Sequence, residues 1–232
     1  MKKKSPGWLK KNSITLIAAI SILGLSAFSN RLPLLSGGPD NLQQQLTPYG
    51  WMLSGNQADQ YFTGIDNQIA EHGKQSATLE SAIQNPSGFC TLMQSCIQKD
   101  FSGKRIKMTG YIKSQNANIA TMWVRVDDYN KKITADFDNM MDRPVTGTND
   151  WTKCEIVFDA TSKCDVFYGF ILNGPGKIWV DNVSFEVVDS SVNKTAHSLN
   201  ADLPDAYLQQ IDKLPQELPE KPPVNLDFED NE

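Results

Sequence analysis

The chain is predicted to be all-β, a sandwich or barrel, on three observations. Between Gly103 and Glu186 six successive segments are rich in β-branched and aromatic residues: GKRIKMTGYIKSQ, TMWVRVDDY, ITADFDN, DWTKCEIVFDA, VFYGFILNG and GKIWVDNVSFEVV. Turn-forming residues separate them at the spacing of short strands. Apolar residues alternate within each segment and do not recur every three to four positions, so no helix of useful length fits there.

Residues 1–30 place five lysines before an uncharged apolar run from Ser13 to Ser29. This is the layout of a secretory signal, with Ala27 and Ser29 as the small pair and a cut before Asn30. The run is also about long enough to cross a bilayer as an uncleaved anchor. On either reading the preceding lysines keep the N-terminus in the cytoplasm and send the rest out. Export is expected, to the periplasm, a membrane-anchored position or the medium. No cysteine follows the run, which argues against a lipid-modified N-terminus.

Residues 31–48 carry Gly, Pro and Gln without a clear period and read as a linker. The sandwich is placed at residues 49–188, roughly 140 residues and enough for one core. It opens at Tyr49-Gly50-Trp51, and SATLES and Phe89–Ile97 precede the six strands above. Residues 189–223 are a second linker, loop-like at SSVNKTAHSLNADLP. Within it DAYLQQIDKL suits a short helix, and the proline-rich LPQELPEKPP suits an extended strap. Residues 224–232, VNLDFEDNE, alternate like a strand. An isolated strand is unstable, so this one is expected to dock near Asp181 through Val224, Leu226 and Phe228, in this chain or a neighbour.

A net charge of −5 leaves no basic footprint for nucleic acid. Export permits disulfides, and Cys90, Cys96, Cys154 and Cys164 allow three complete connectivities. Cys90 and Cys96 share a strand, where six residues span about 20 Å, too far for a bridge. A bridge crossing between strands and a set of small buried thiols both stay open. His72 and His197 are far from any cysteine, and no zinc pattern is present.

In TMWVRVDD, Met122, Val124 and Val126 are expected to point inward and Trp123, Arg125 and Asp127 outward. The outward three make a sugar-binding set: an indole stacks on a pyranose while charged groups bond its hydroxyls. The alternative is a loop-covered Trp beside a weak surface ion pair. Tyr111 and Lys113 share a face in the preceding strand. In FDNMMDRPVTGTNDW, Pro144 and Gly147 set a chain reversal. Asp138, Asn139, Asp142 and Arg143 either line the rim of a site or hold that loop together.

The order WMLSG, GKQSATLES, GKRIKMTGYIK, DWTKCEIVF and IWVDNVSFE resembles carbohydrate-binding modules of families four, nine and twenty-two, jelly rolls of the galactose-binding type. The run FDNM–RP–GT–DW, Phe137 to Trp151, is similar still to a group of bacterial exported or regulator-linked domains. The resemblance covers roughly Tyr49 to Val188 and implies a two-sheet jelly-roll β-sandwich with a glycan ligand. Those modules begin with Asn-x-x-Phe-Glu before the Gly-Trp. Here Asn41-Leu42 is followed by three glutamines, and the matching text stands at the far end as Asn225-Leu226-Asp227-Phe228-Glu229. A structural calcium carried over from the resemblance falls on Asp181 and Glu229.

The chain shows no nucleophile elbow, P-loop, Rossmann glycine pattern or metal-binding histidine pair. Asp127-Asp128 and Asp136-Asp138 are carboxylate pairs of the kind glycosidases use, but acids in strand-end loops are common. The expectation is a non-catalytic module of the cell envelope that binds carbohydrate or another small ligand. The competing class is a protein-interaction or assembly domain that uses strand edges or the C-terminal tail.

Overall fold

A computed structural model describes residues 47–211, 217 and 219–230. The signal or anchor segment and nearly all of the first linker lie outside the described residues. Among those that are described, no helix is long and apolar enough to cross a membrane.

Ten strands carry the fold: β1 (Met52–Ser54), β2 (Tyr61–Asp66), β3 (Ser76–Ser81), β4 (Phe89–Cys96), β5 (Arg105–Asp128), β6 (Ile133–Asp138), β7 (Val145–Asp159), β8 (Cys164–Asn173), β9 (Lys177–Val188) and β10 (His197–Asp202). Among the described residues one α-helix, α1 (Asp205–Ile211), follows them. The first two predicted segments are one strand: β5 runs for 24 residues. Its first half pairs with β9 and β7, its second with β8 and β6. Between the halves the pairing with β7 slips repeatedly, and Asn116 takes φ 50°. Asparagine tolerates that left-handed conformation because its short polar side chain bonds locally; Asn116 Oδ1 accepts from Thr148 Oγ1 at 3.3 Å, and the Asn116 backbone N–H donates to the same hydroxyl oxygen at 3.0 Å.

The bend makes two sheets out of one continuous ladder. Sheet one is β2-β3-β9-β5(105–115)-β7, and sheet two is β1-β4-β8-β5(119–128)-β6-β10. All pairs are antiparallel. The main core lies between the sheets and includes Leu79, Leu92, Ile106, Val124, Phe158 and Phe170. Met122, Val124 and Val126 point into it, as the alternation requires.

Two segments differ from the sequence expectation. SSVNKTAHSLNADLP is not all loop, because His197–Asp202 pairs with β6 as the outermost strand of sheet two. Val145 begins β7, so Gly147 lies inside a strand and not in a reversal. All four cysteines are free thiols. Burial pushes the Cys90 thiol up to about 12 and the Cys154 thiol up to about 11, which makes them poor nucleophiles.

The C-terminal residues return to the sandwich of the same chain. Lys221 bridges to Ile97. Trp51 Nε1 donates to Asn225 O at 2.9 Å, Val183 N to Leu226 O at 2.9 Å, and Gln75 Nε2 to Phe228 O at 2.6 Å. Phe228 is fully buried, its ring 5.0 Å from that of Trp51. The segment is not a strand, however. Asn225 and Phe228 have φ of 48° and 58°, which breaks the alternation, and Val224 stays exposed. It docks as a turn.

Candidate functional site

The bend in β5 separates residues that share an alternation. Tyr111 and Lys113 lie on the outer face of sheet one, half-buried, opposite Asp181 and Trp179 of β9. Lys113 Nζ pairs with Asp150 at 2.7 Å. Trp123, Arg125 and Asp127 lie on the outer face of sheet two, so the two groups look out from opposite sides of the sandwich.

The second group is outward in register but is not at the surface, which corrects the sequence expectation. Trp123, Arg125 and Asp127 are 0%, 1% and 0% exposed. A second apolar cluster covers them: Leu203, Tyr207 and Ile211 of the β10–α1 segment pack on Phe89, Met93, Trp123, Phe137 and Phe167. Trp123 Nε1 donates to Thr91 Oγ1 of β4 at 2.8 Å. The Cα partner of Trp123 on β8, the strand between β5 and β4, is Gly169, where a Cβ would collide with Leu92 O of β4. Trp123 is thus a packed, hydrogen-bonded core residue.

Beneath the same cover lies a charged cluster. Arg125 pairs with Asp127 at 2.9 Å and lies 4.5 Å from the Phe167 ring centroid. Asp127 Oδ1 accepts from Thr134 Oγ1 at 2.9 Å. Asp165 joins from β8 and accepts from the Tyr129 hydroxyl at 3.2 Å. Burial raises the Asp127 carboxyl against the pull of Arg125. Burial also pushes Asp165 up to about 7. Sequence reasoning missed Asp165, Tyr129 and Tyr207. Asp165 stands just ahead of the recognised strand VFYGFILNG, and nothing local marks Tyr207 as the roof of a distant sheet.

An open cleft lies elsewhere, where the chain passes from β6 to β7. Its volume is about 530 Å³, and Met140, Pro144 and Val145 line it together with Arg143, Lys153 and Glu155. Asn149 and Thr152 add amide and hydroxyl groups. Arg143 is held from behind: Asp138 Oδ2 accepts at 2.6 Å and Asp142 Oδ1 at 2.8 Å. Burial works against the guanidinium charge, and the bonds to Asp138 and Asp142 more than offset it. Asp138 Oδ1 also accepts from Met140 N at 2.9 Å, and Asn139 Oδ1 from Met141 N at 3.3 Å. The loop's acids therefore hold its shape, while Arg143 lines the cleft. Lys153, at the same cleft, is the Cα partner of Tyr111.

The two carboxylates expected to hold calcium both address the turn at residues 71–75. Asp181 Oδ2 accepts from Glu71 N at 2.8 Å and His72 N at 3.0 Å, and its Oδ1 from Asn182 N at 2.7 Å. Glu229 Oε1 accepts from Lys74 N at 2.6 Å and Gln75 N at 3.1 Å. Calcium takes six to eight oxygens, whereas here N–H donors converge on the carboxylates. Among the described residues no group of three or more His, Cys, Asp or Glu could hold a metal. The residues present do not fit a calcium ion.

No protein-family model matches the chain. The chain is 36% identical over 184 residues to the uncharacterized HTH-type transcriptional regulator YbfP of Bacillus subtilis (strain 168); the match takes in 78% of this chain and 57% of that protein. The chain thus spans little more than half the length of this curated relative. Similar solved structures include TmCBM61 in complex with β-1,4-galactotriose, at 12% identity, TM-score 0.44, 61% of this chain and 90% of that one. Another is the enzymatically active domain of the bacteriophage CBA120 tailspike protein 4, at 15% identity, TM-score 0.49, 60% of this chain and 20% of that one. Carbohydrate-binding modules of all-β fold recur among such neighbours.

Proposed function

We propose that the chain is a non-catalytic module that binds a carbohydrate in the cleft between Met140 and Glu155. The cleft itself carries the reading. Its volume of about 530 Å³ falls within the range of small-molecule sites, and its mostly polar lining, beside Met140, Pro144 and Val145, suits a ligand rich in hydroxyls. A planar guanidinium already fixed by Asp138 and Asp142 loses little freedom when it donates to ligand hydroxyls. Lys153 and Glu155, paired with each other at 2.8 Å on the same wall, add further donor and acceptor capacity. The name of the Bacillus relative, a transcriptional regulator, supports a module whose task is recognition.

The Lys-flanked apolar run supports delivery to the cell envelope, as a cleaved signal or an anchor. A reporter enzyme active only outside the cytoplasm, fused after Glu232, is expected to be active; activity of only a cytoplasmic reporter overturns that part. Binding is tested by a glycan array on the purified region from Asn30 onward, followed by titration calorimetry on any hit. Arg143→Ala and Lys153→Ala are expected to weaken binding about tenfold each, roughly 1.4 kcal/mol. Binding unchanged in both variants, or no glycan bound at all, rejects the site.

A further inference from the structure

The outer face of sheet two holds more charge than packing requires, and a thin element covers it. Asp127 and Asp165 are Cα partners across β5 and β8, so two carboxylates stand side by side in a buried site. Arg125 bonds the first of them. Asp165 is 8% exposed, and its Oδ1 has no hydrogen-bond partner. Its Oδ2 accepts from Tyr129, whose hydroxyl lies 3.3 Å from that of Tyr207. Through Tyr129 the Tyr207 phenol ties α1 to Asp165. The fastening element is slight. The pairing of β10 with β6 is irregular between Ser198 and Ala201, and α1 has seven residues.

The groups that face Asp165 come from every neighbouring element. Asp127 and Arg125 belong to β5, and Tyr129 follows it. Tyr207 belongs to α1. Lys221 comes from the tail, with its Nζ 2.9 Å from Ser95 Oγ. Cys96 lies on β4, and Cys164 and Tyr168 on β8 itself.

We infer that residues 197–211 form a pH-governed cover, closed over this face while Asp165 holds a proton and released when Asp165 and Asp127 are both ionised. Release uncovers Trp123, Phe167 and the Arg125–Asp127 pair, the set that alternation alone would place in water. This is separate from the cleft at Arg143 and stands whether or not that cleft binds sugar. The physical cause is the cost of ionising two adjacent carboxylates in a buried site, where the guanidinium charge of Arg125 is bonded to Asp127.

The direction follows from linkage. In the closed state burial pushes Asp165 up to about 7, with Asp127 adding to the rise and Lys221 opposing it. In the open state the carboxyl returns to roughly 4. The closed form therefore binds the extra proton. Closure is fully favoured below about pH 4, weakens as pH rises to about 7 and is flat above that, a change of up to roughly a thousandfold in the closing equilibrium.

Hydrogen exchange of the full chain, corrected for intrinsic rates and followed by mass spectrometry, tests this. Protection of residues 205–211 is expected to fall roughly a hundredfold between pH 5 and pH 8, with β9 unchanged. Asp165→Asn cannot ionise and is expected to hold the cover closed across that range. Tyr129→Phe removes the hydroxyl that stabilises ionised Asp165, so its transition should move to higher pH. This second variant keeps the test open if Asp165→Asn does not fold. Constant protection in the wild-type chain overturns the inference. So does equal loss in β9, a wild-type profile in Asp165→Asn, or an unmoved transition in Tyr129→Phe.

Discussion

The two halves of β5 obey one alternation and end in opposite environments. Along its first half the outward residues meet solvent and exposed partners: Lys107 pairs with Glu186 at 2.6 Å and Lys113 with Asp150 at 2.7 Å, where the acids are 63% and 85% exposed. Along the second half the outward ion pair, Arg125–Asp127, is 1% and 0% exposed. The strand is not what differs. A third layer, supplied from residues 197–211, lies on sheet two, while the outer face of sheet one stays open around Lys107 and Lys113. Period-two alternation tells which residues leave the central core; only tertiary structure tells whether water or another layer receives them.

The comparison is broken most directly at its aromatics. Trp123→Ala is expected to cost about 3–5 kcal/mol in urea denaturation, because it empties a buried volume and strands Thr91 Oγ1. Trp151→Ala, at a half-buried position on β7, should cost about 1 kcal/mol or less. Equal losses would mean that the two faces are equally covered.

The ion pairs sharpen the same contrast. Arg125→Ala leaves Asp127 charged and buried, and breaking such a pair costs about 3–5 kcal/mol. Lys113→Ala removes a solvent-screened pair and should cost less than about 1 kcal/mol. The double substitution Arg125→Met with Asp127→Leu should recover most of the single loss, since an apolar pair needs no compensation. Failure to recover would point to a role for Asp127 in holding Thr134, beyond neutralising the arginine.

Much of this fold was legible because strand formation is local. SATLES became β3 at its expected bounds, Phe89–Ile97 became β4 to within one residue, and DAYLQQI became α1. The inward triplet Met122, Val124 and Val126 was legible for the same reason. The candidate site was less so. Nothing in NANIA announces that β5 changes sheets, because the left-handed residue at the bend is an asparagine and not a glycine. His197–Asp202 has a polar, mostly exposed sequence, and pairing with β6 alone makes it a strand. Arg143 was found from the turn chemistry of its loop. Its partners in the cleft, Lys153 and Glu155, sit on a strand whose alternation marks them only as outward.

An effect about as small as those of the exposed controls concerns the second place where the C-terminal chain meets the sandwich. Residues 197–211 cover a face, whereas residues 224–230 fill an end beside Trp51 and the turn at 71–75. Phe228 supplies most of the anchoring there by burial. Glu229 adds two amide hydrogen bonds near the surface, to Lys74 N and Gln75 N. Glu229→Gln keeps an acceptor of the same shape and removes the charge assistance. Its cost should be about 1 kcal/mol, a shift of a few degrees in Tm. Because the carboxylate faces N–H donors, adding EDTA should leave the wild-type Tm unchanged, and adding calcium should not rescue the variant. A fall in Tm on chelation would restore a cation to this turn. It would also make the end of the sandwich, and not the covered face of sheet two, the place where this fold depends most on charge.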